Sequence, residues 1–240
     1  MPVFRSIVFS AALAGLIVGV IISIAQFLGT VPLIQQSEVY ERKAAATSTQ
    51  ATHNHALPAN DQDKPPGHEN AWEPEEGFQR NAFTVGANIL TAIGFALLLT
   101  GVYAIRGRHV TWREGLLWGL AGFVVFTAAP GLGLPPELPG MPVADLTARQ
   151  TWWIATAAAT AAGLCLLALK PAAWSAVLGL ALIALPHLVG APLAPESHSA
   201  VPAALSHRFI VVVTLTSLLF WALLGVTTSV AFERISRPQP

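Results

Sequence analysis

Apolar residues in this chain come in long blocks. Six stretches contain no Asp, Glu, Lys or Arg: those between Arg5 and Glu38, Arg80 and Arg106, Glu114 and Glu137, Arg149 and Lys170, Lys170 and Glu196, and Arg208 and Glu233. Each is 20 residues or longer, and about 20 apolar residues let a helix cross the roughly 30 Å hydrocarbon core of a bilayer. The pattern predicts spans near 7–30, 82–105, 115–134, 151–169, 173–191 and 209–232. Nothing alternates with period two, which argues against a membrane β-barrel. The expected fold is all-α, a polytopic membrane helix bundle of about six spans forming one domain over residues 1–240. The first apolar run exceeds the 7–15 residues typical of a signal-peptide core, and no convincing small-x-small cleavage site follows it. It reads as a retained helix.

Composition agrees. Charged residues make up 11% of the chain and hydrophobic ones 53%, whereas a soluble domain carries roughly 25% charged residues. That excludes a soluble enzyme, a disordered tail and a basic nucleic-acid binder, and makes membrane lipid the expected surrounding.

Charge placement gives an orientation. With six spans, Arg5, Arg106, Arg108, Arg113, Lys170, Arg234 and Arg237 share one side with only Glu114 and Glu233. The other side receives eleven acids and the remaining basic residues, spread over the longer loops 35–81, 135–150 and 192–208. By the positive-inside rule the first side is cytoplasmic and holds both termini.

Six of the seven histidines then belong to the outer half: His53, His55 and His68 in the first loop, His198 and His207 in the last, and His187 near the end of the fifth span. His109 alone is inside. The first loop also holds Glu69, Glu73, Glu75 and Glu76 around Trp72. Imidazole and carboxylate together form an N/O donor set suited to divalent transition metals. The segment from Ala44 to Pro66, rich in Ala, Thr, Asn, Asp and Pro, is expected to be disordered without a ligand.

His187 follows Pro186 in an apolar run. Proline has no N–H to give the carbonyl four residues back, Leu182's, and a freed carbonyl at membrane depth must be buried in protein or line a wet cavity. An ionisable ring beside it is a functional hypothesis by default. Between Ala129 and Pro142 lie five prolines and three glycines, with Glu137 the only charge. That run is expected to end the third span in irregular backbone lining a cavity. Gln26 and Asn88 are uncharged polar residues inside spans, read as interhelical hydrogen-bond partners or pathway residues. Ala11, Gly15, Gly19 and Ser23 form a small-residue stripe for close helix packing. The single cysteine, Cys165, permits neither an intrachain disulfide nor a thiolate metal site. No P-loop, His-Glu-x-x-His or Gly-x-Ser-x-Gly motif occurs, so no enzyme activity, catalytic residue or bound cofactor is expected.

These segments resemble the CbtA family of predicted cobalt-transporter membrane subunits, nearly end to end. The resemblance is carried by Thr30-Val31-Pro32-Leu33-Ile34, Glu38-Val39-Tyr40-Glu41, Trp72-Glu73-Pro74-Glu75-Glu76-Gly77, Pro136-Glu137-Leu138-Pro139-Gly140-Met141, Asp145-Leu146-Thr147-Ala148-Arg149-Gln150 and Pro186-His187-Leu188-Val189-Gly190-Ala191-Pro192, with the final span from Arg208. It implies cobalt uptake linked to cobalamin supply in the inner membrane of a bacterium, beside CbtB, a small single-span partner with a His-rich tail. The loop departs from the family pattern, carrying three histidines where similar proteins often have dense runs.

The resulting expectation is a transporter subunit whose loop histidines, His53, His55 and His68, gather Co2+. Glu137 and His187 would form the outer mouth, and Gln26 and Asn88 the route inward. The donor set alone does not separate Co2+ from Ni2+ or Zn2+. The alternatives are a non-transporting metal-binding or assembly protein and, further off, a haem or other membrane enzyme.

Overall fold

In lipid, a backbone without water must satisfy its N–H and C=O groups within its own segment, and long charge-free runs therefore become helices. The computed structural model describes residues 2–53, 74–75, 77–169, 172–195 and 199–236. Its elements are α1 (Pro2–Leu28), α2 (Thr30–His53), α3 (Phe78–Arg106), α4 (Trp112–Phe123), a π-helical turn (Val124–Ala128), α5 (Ala129–Gly133), α6 (Leu146–Leu169), α7 (Ala173–Val189) and α8 (Ala203–Ser236). No strand occurs among the described residues. Five of these rods, counting α4 through α5 as one, are long and apolar enough to cross a membrane; α7 is apolar but has only 17 residues.

Two expectations are corrected here. The Pro-rich run does not dissolve at Ala129: the rod continues to Gly133. The π turn shifts the bonding register, Ala129 N–H reaching back to Val124 O, just before Pro130 opens α5. A proline in a first helical turn forfeits only an N–H that the turn does not need. Irregular backbone starts at Leu134 instead. The Ala44–Pro66 segment is also not irregular from its start, because α2 runs on to His53. Alanine is the strongest helix former, and Ala44, Ala45 and Ala46 extend the helix past Lys43.

Glycines join the helices in pairs. A Cβ on Gly15 or Gly19 of α1 would fall within 2.7 Å of backbone atoms of Ile93 or Ile89 in α3. Gly115 and Gly225 press α4 against α8, each lying where a Cβ on one would meet the carbonyl oxygen of the other within 2.4 Å. Gly163 and Gly179 do the same for α6 and α7. Apolar side chains gain little by leaving lipid for protein, so such close backbone contact carries the association. Aromatic rings fill the centre, where Phe126 of the π turn stacks on Trp221 at 5.5 Å and Phe95 lies 4.7 Å from the same indole.

The start of α1 and the end of α8 lie together, since Val3 and Ser6 share a cavity with Arg108, His109, Phe232, Glu233, Ile235 and Ser236. At the opposite end Leu33 of α2, Leu138 of the α5–α6 connection and Val201 and Phe209 of the α8 entry form a second apolar cluster.

Candidate functional site

The end of the bundle remote from the termini carries the polar features. There α1 hands over to α2 at Gly29, and α3 begins opposite. A cavity of about 470 Å³ opens between them, lined by side chains of Gln26, Thr30, Ile34, Glu38, Arg80 and Thr84 among others. Gly77 and Arg42 also line it. The cavity therefore lies beside the two segments from which the His-bearing loop hangs.

Its rim is charged. Arg80 Nη2 donates to Glu38 Oε1 at 2.6 Å, and Arg42 Nη2 stands 3.8 Å from Glu38 Oε2. The Glu38 carboxylate is thus shared between two guanidinium groups. Deeper in, every donor is neutral. Asn88 Nδ2 of α3 donates to Gln26 Oε1 at 2.8 Å and to Ser23 Oγ at 3.1 Å, while Ser23 Oγ donates to Gly19 O at 2.8 Å. Thr30 Oγ1 is buried and makes no hydrogen bond. An unpaired hydroxyl inside protein costs about 1–3 kcal/mol, a cost that a water or a cation held there would remove. Below Ser23 the ladder stops, where Gly15 and Gly19 bring α1 onto α3 and the buried neighbours are Val18, Ala92 and Ala96. The polar cavity is a vestibule above a closed, dry contact.

Glu137 and His187 sit apart from it, on either side of the α6 N-terminus. Arg149 Nη2 of α6 lies 2.8 Å from Glu137 Oε2, so that carboxylate is already opposed by a cation. One turn further on, the Trp152 ring meets the His187 ring edge-to-face, centroids 5.8 Å apart. Trp152 Nε1 donates at 3.3 Å to Pro186 O, which also accepts the Gly190 N–H at 3.0 Å. The carbonyl that gains an outside donor is thus proline's own. His187 Nε2 is buried and has no hydrogen-bond partner. Gly133 makes room for this arrangement, since a Cβ there would strike the Trp152 ring at 2.3 Å.

Of the expected loop ligands, His53 ends α2, while His55 and His68 lie outside the described residues. No group of three or more His, Cys, Asp or Glu side chains converges among the described residues. The structure brings Gln26 and Asn88 into direct contact and gives Glu137 and His187 separate partners on one helix. Sequence reasoning missed Glu38, Arg80 and Arg149 as site residues. Their signal was position, since each charge lies within a turn or two of a span's outer end.

A family model described as a probable cobalt transporter subunit (CbtA) matches residues 4–233. No curated protein and no solved structure matches the chain.

Proposed function

The chain belongs to the CbtA family of probable cobalt transporter subunits, and from that premise we propose that Co2+ enters it through the vestibule between α1, α2 and α3. It is a multi-pass membrane transporter subunit. In our reading the vestibule faces outward in the inner membrane of a bacterium, and the basic end faces the cytoplasm. The histidines at 53, 55 and 68 gather the ion before it reaches the vestibule. Glu38 offers the ion a carboxylate once Arg80 and Arg42 release it, and the oxygens of Gln26 and Thr30 replace part of its hydration shell. His187 and Glu137 border a neighbouring approach along α6.

The observation that carries this reading is a neutral polar cluster in which Asn88 Nδ2 donates to Gln26 Oε1 and Ser23 Oγ, beside the cavity that Gln26 and the unpartnered Thr30 hydroxyl line. Carboxylate, carbonyl and imidazole donors suit divalent cations of this class, and polar groups at membrane depth mark ion pathways. Passage requires α1 and α3 to part below Ser23.

The proposed role needs no covalent chemistry, catalytic residue or resident cofactor. One elementary charge is worth about 2.3 kcal/mol per 100 mV. An inward divalent ion therefore gains roughly 4.6 kcal/mol over that potential, enough for roughly two-thousandfold accumulation. A second, single-span subunit of the CbtB type is the proposed partner.

Cobalt accumulation in cells lacking other cobalt uptake tests the reading. Asn88→Leu and Glu38→Gln should each lower accumulation severalfold at equal membrane abundance. Accumulation unchanged by both would overturn the vestibule route.

A further inference from the structure

At the basic end, His109 in the α3–α4 connection and Glu233 in the last turns of α8 come together beside a cavity of about 610 Å³. We infer that His109 and Glu233 form a weak, water-completed binding site for a divalent transition-metal cation. This rests on the transport reading only in giving the site a use, as the place from which the ion leaves.

An ion would take the place of the proton between the two groups, with a turn of the exposed His109 ring. His109 Nδ1 and Glu233 Oε2 are 3.0 Å apart. Two ligands each roughly 2.1 Å from an octahedral ion, in adjacent positions, are about 3.0 Å apart. The carboxylate is also held in place, because Val110 N–H donates to its other oxygen, Oε1, at 2.7 Å. A fixed second oxygen orients a ligating carboxylate in the way outer hydrogen bonds do in metal sites. The two partners differ in exposure: the Glu233 side chain is 17% exposed and that of His109 is 91% exposed. One ligand is thus anchored in the bundle, and the other swings on a loop facing water.

The other carboxylate at this end is committed elsewhere. Glu114 accepts from the Thr111 N–H at 2.9 Å in the capping box of α4 and faces Arg106. The remaining charge lining the cavity is Arg108, whose cation weakens binding, while Ser6, Tyr103 and Ser236 add hydroxyls. A site of two protein ligands, a nearby guanidinium and open water is poor for storage and suited to release. A negative charge near a helix C-terminus opposes the macrodipole. A bound cation would reverse that.

The test places a fluorophore on a single Arg234→Cys in a Cys165→Ala background, with the full chain in nanodiscs, and titrates it with Co2+, which quenches at short range. We expect saturable quenching that is abolished by His109→Ala and weakened about tenfold or more by Glu233→Gln. The glutamine keeps an oxygen for the Val110 N–H, and thermal unfolding of each variant separates lost binding from lost structure. Quenching that never saturates, or that both variants retain, overturns the site and leaves the pair a plain hydrogen-bonded latch. Co2+ flux on the same preparation keeps the two readings apart. Flux without quenching rejects this site alone; quenching without flux supports the site and rejects the transport route.

Discussion

Asn88 on α3 donates to Gln26 on α1 at 2.8 Å, across a helix contact that is polar above and glycine-tight below. Interhelical hydrogen bonds in membranes are worth on average about 0.6 kcal/mol, so this bond contributes little to the fold. Asn88→Leu is therefore predicted to leave the unfolding midpoint in detergent nearly unchanged while cobalt accumulation falls severalfold. Loss of both together would mark Asn88 as structural only.

The glycine contacts should behave oppositely. Gly15→Val or Gly115→Val forces side-chain atoms into backbone, at Ile93 in one case and at Gly225 O in the other. Overpacking of this kind costs typically about 1–3 kcal/mol. Gly86→Ala and Gly94→Ala, where an added Cβ meets nothing within 4 Å, should be neutral or stabilising by up to about 1 kcal/mol. Chemical unfolding of the four variants checks the contrast.

Glu137 and Arg149 form a partly buried ion pair at 2.8 Å. Removing either partner leaves the other charge poorly solvated, which is more costly than losing a surface pair. Glu137→Gln and Arg149→Gln should each destabilise the protein, and the double variant by less than their sum, with a coupling energy of about 0.5–3 kcal/mol. Additive effects would show that the pair does not act as one.

Trp152 holds the α7 end by its bond to Pro186 O and its contact with His187. Trp152→Phe keeps a ring but removes the N–H, and should cost about 0.5–1.5 kcal/mol. Gly133→Val should cost more, because its side chain would occupy the Trp152 position. Thermal unfolding distinguishes the two.

Helix positions were legible because long charge-free runs in a membrane become helices, and each predicted span overlaps a helix. The π turn was not, because five prolines and three glycines read as a breaker; only the three-dimensional course shows Pro130 placed where its missing N–H does no harm. Residues such as Gln26 and Asn88 could be singled out as polar residues among apolar ones. Their meeting, 62 positions apart, depends on how Gly15 and Gly19 set α1 against α3. The pairing of Glu38 with Arg80 and of Glu137 with Arg149 was hidden for the same reason. Along the chain these are separate loop charges, and helix packing alone makes them neighbours. The histidines at 55 and 68 lie outside the described residues.

The most direct test of the vestibule route is Co2+ flux into vesicles reconstituted with the protein and its small partner subunit, with and without an inside-negative potential. The account predicts influx above empty vesicles that rises with the potential and collapses in Asn88→Leu. Influx equal to that of empty vesicles, or equal in Asn88→Leu and the unaltered protein, would contradict it.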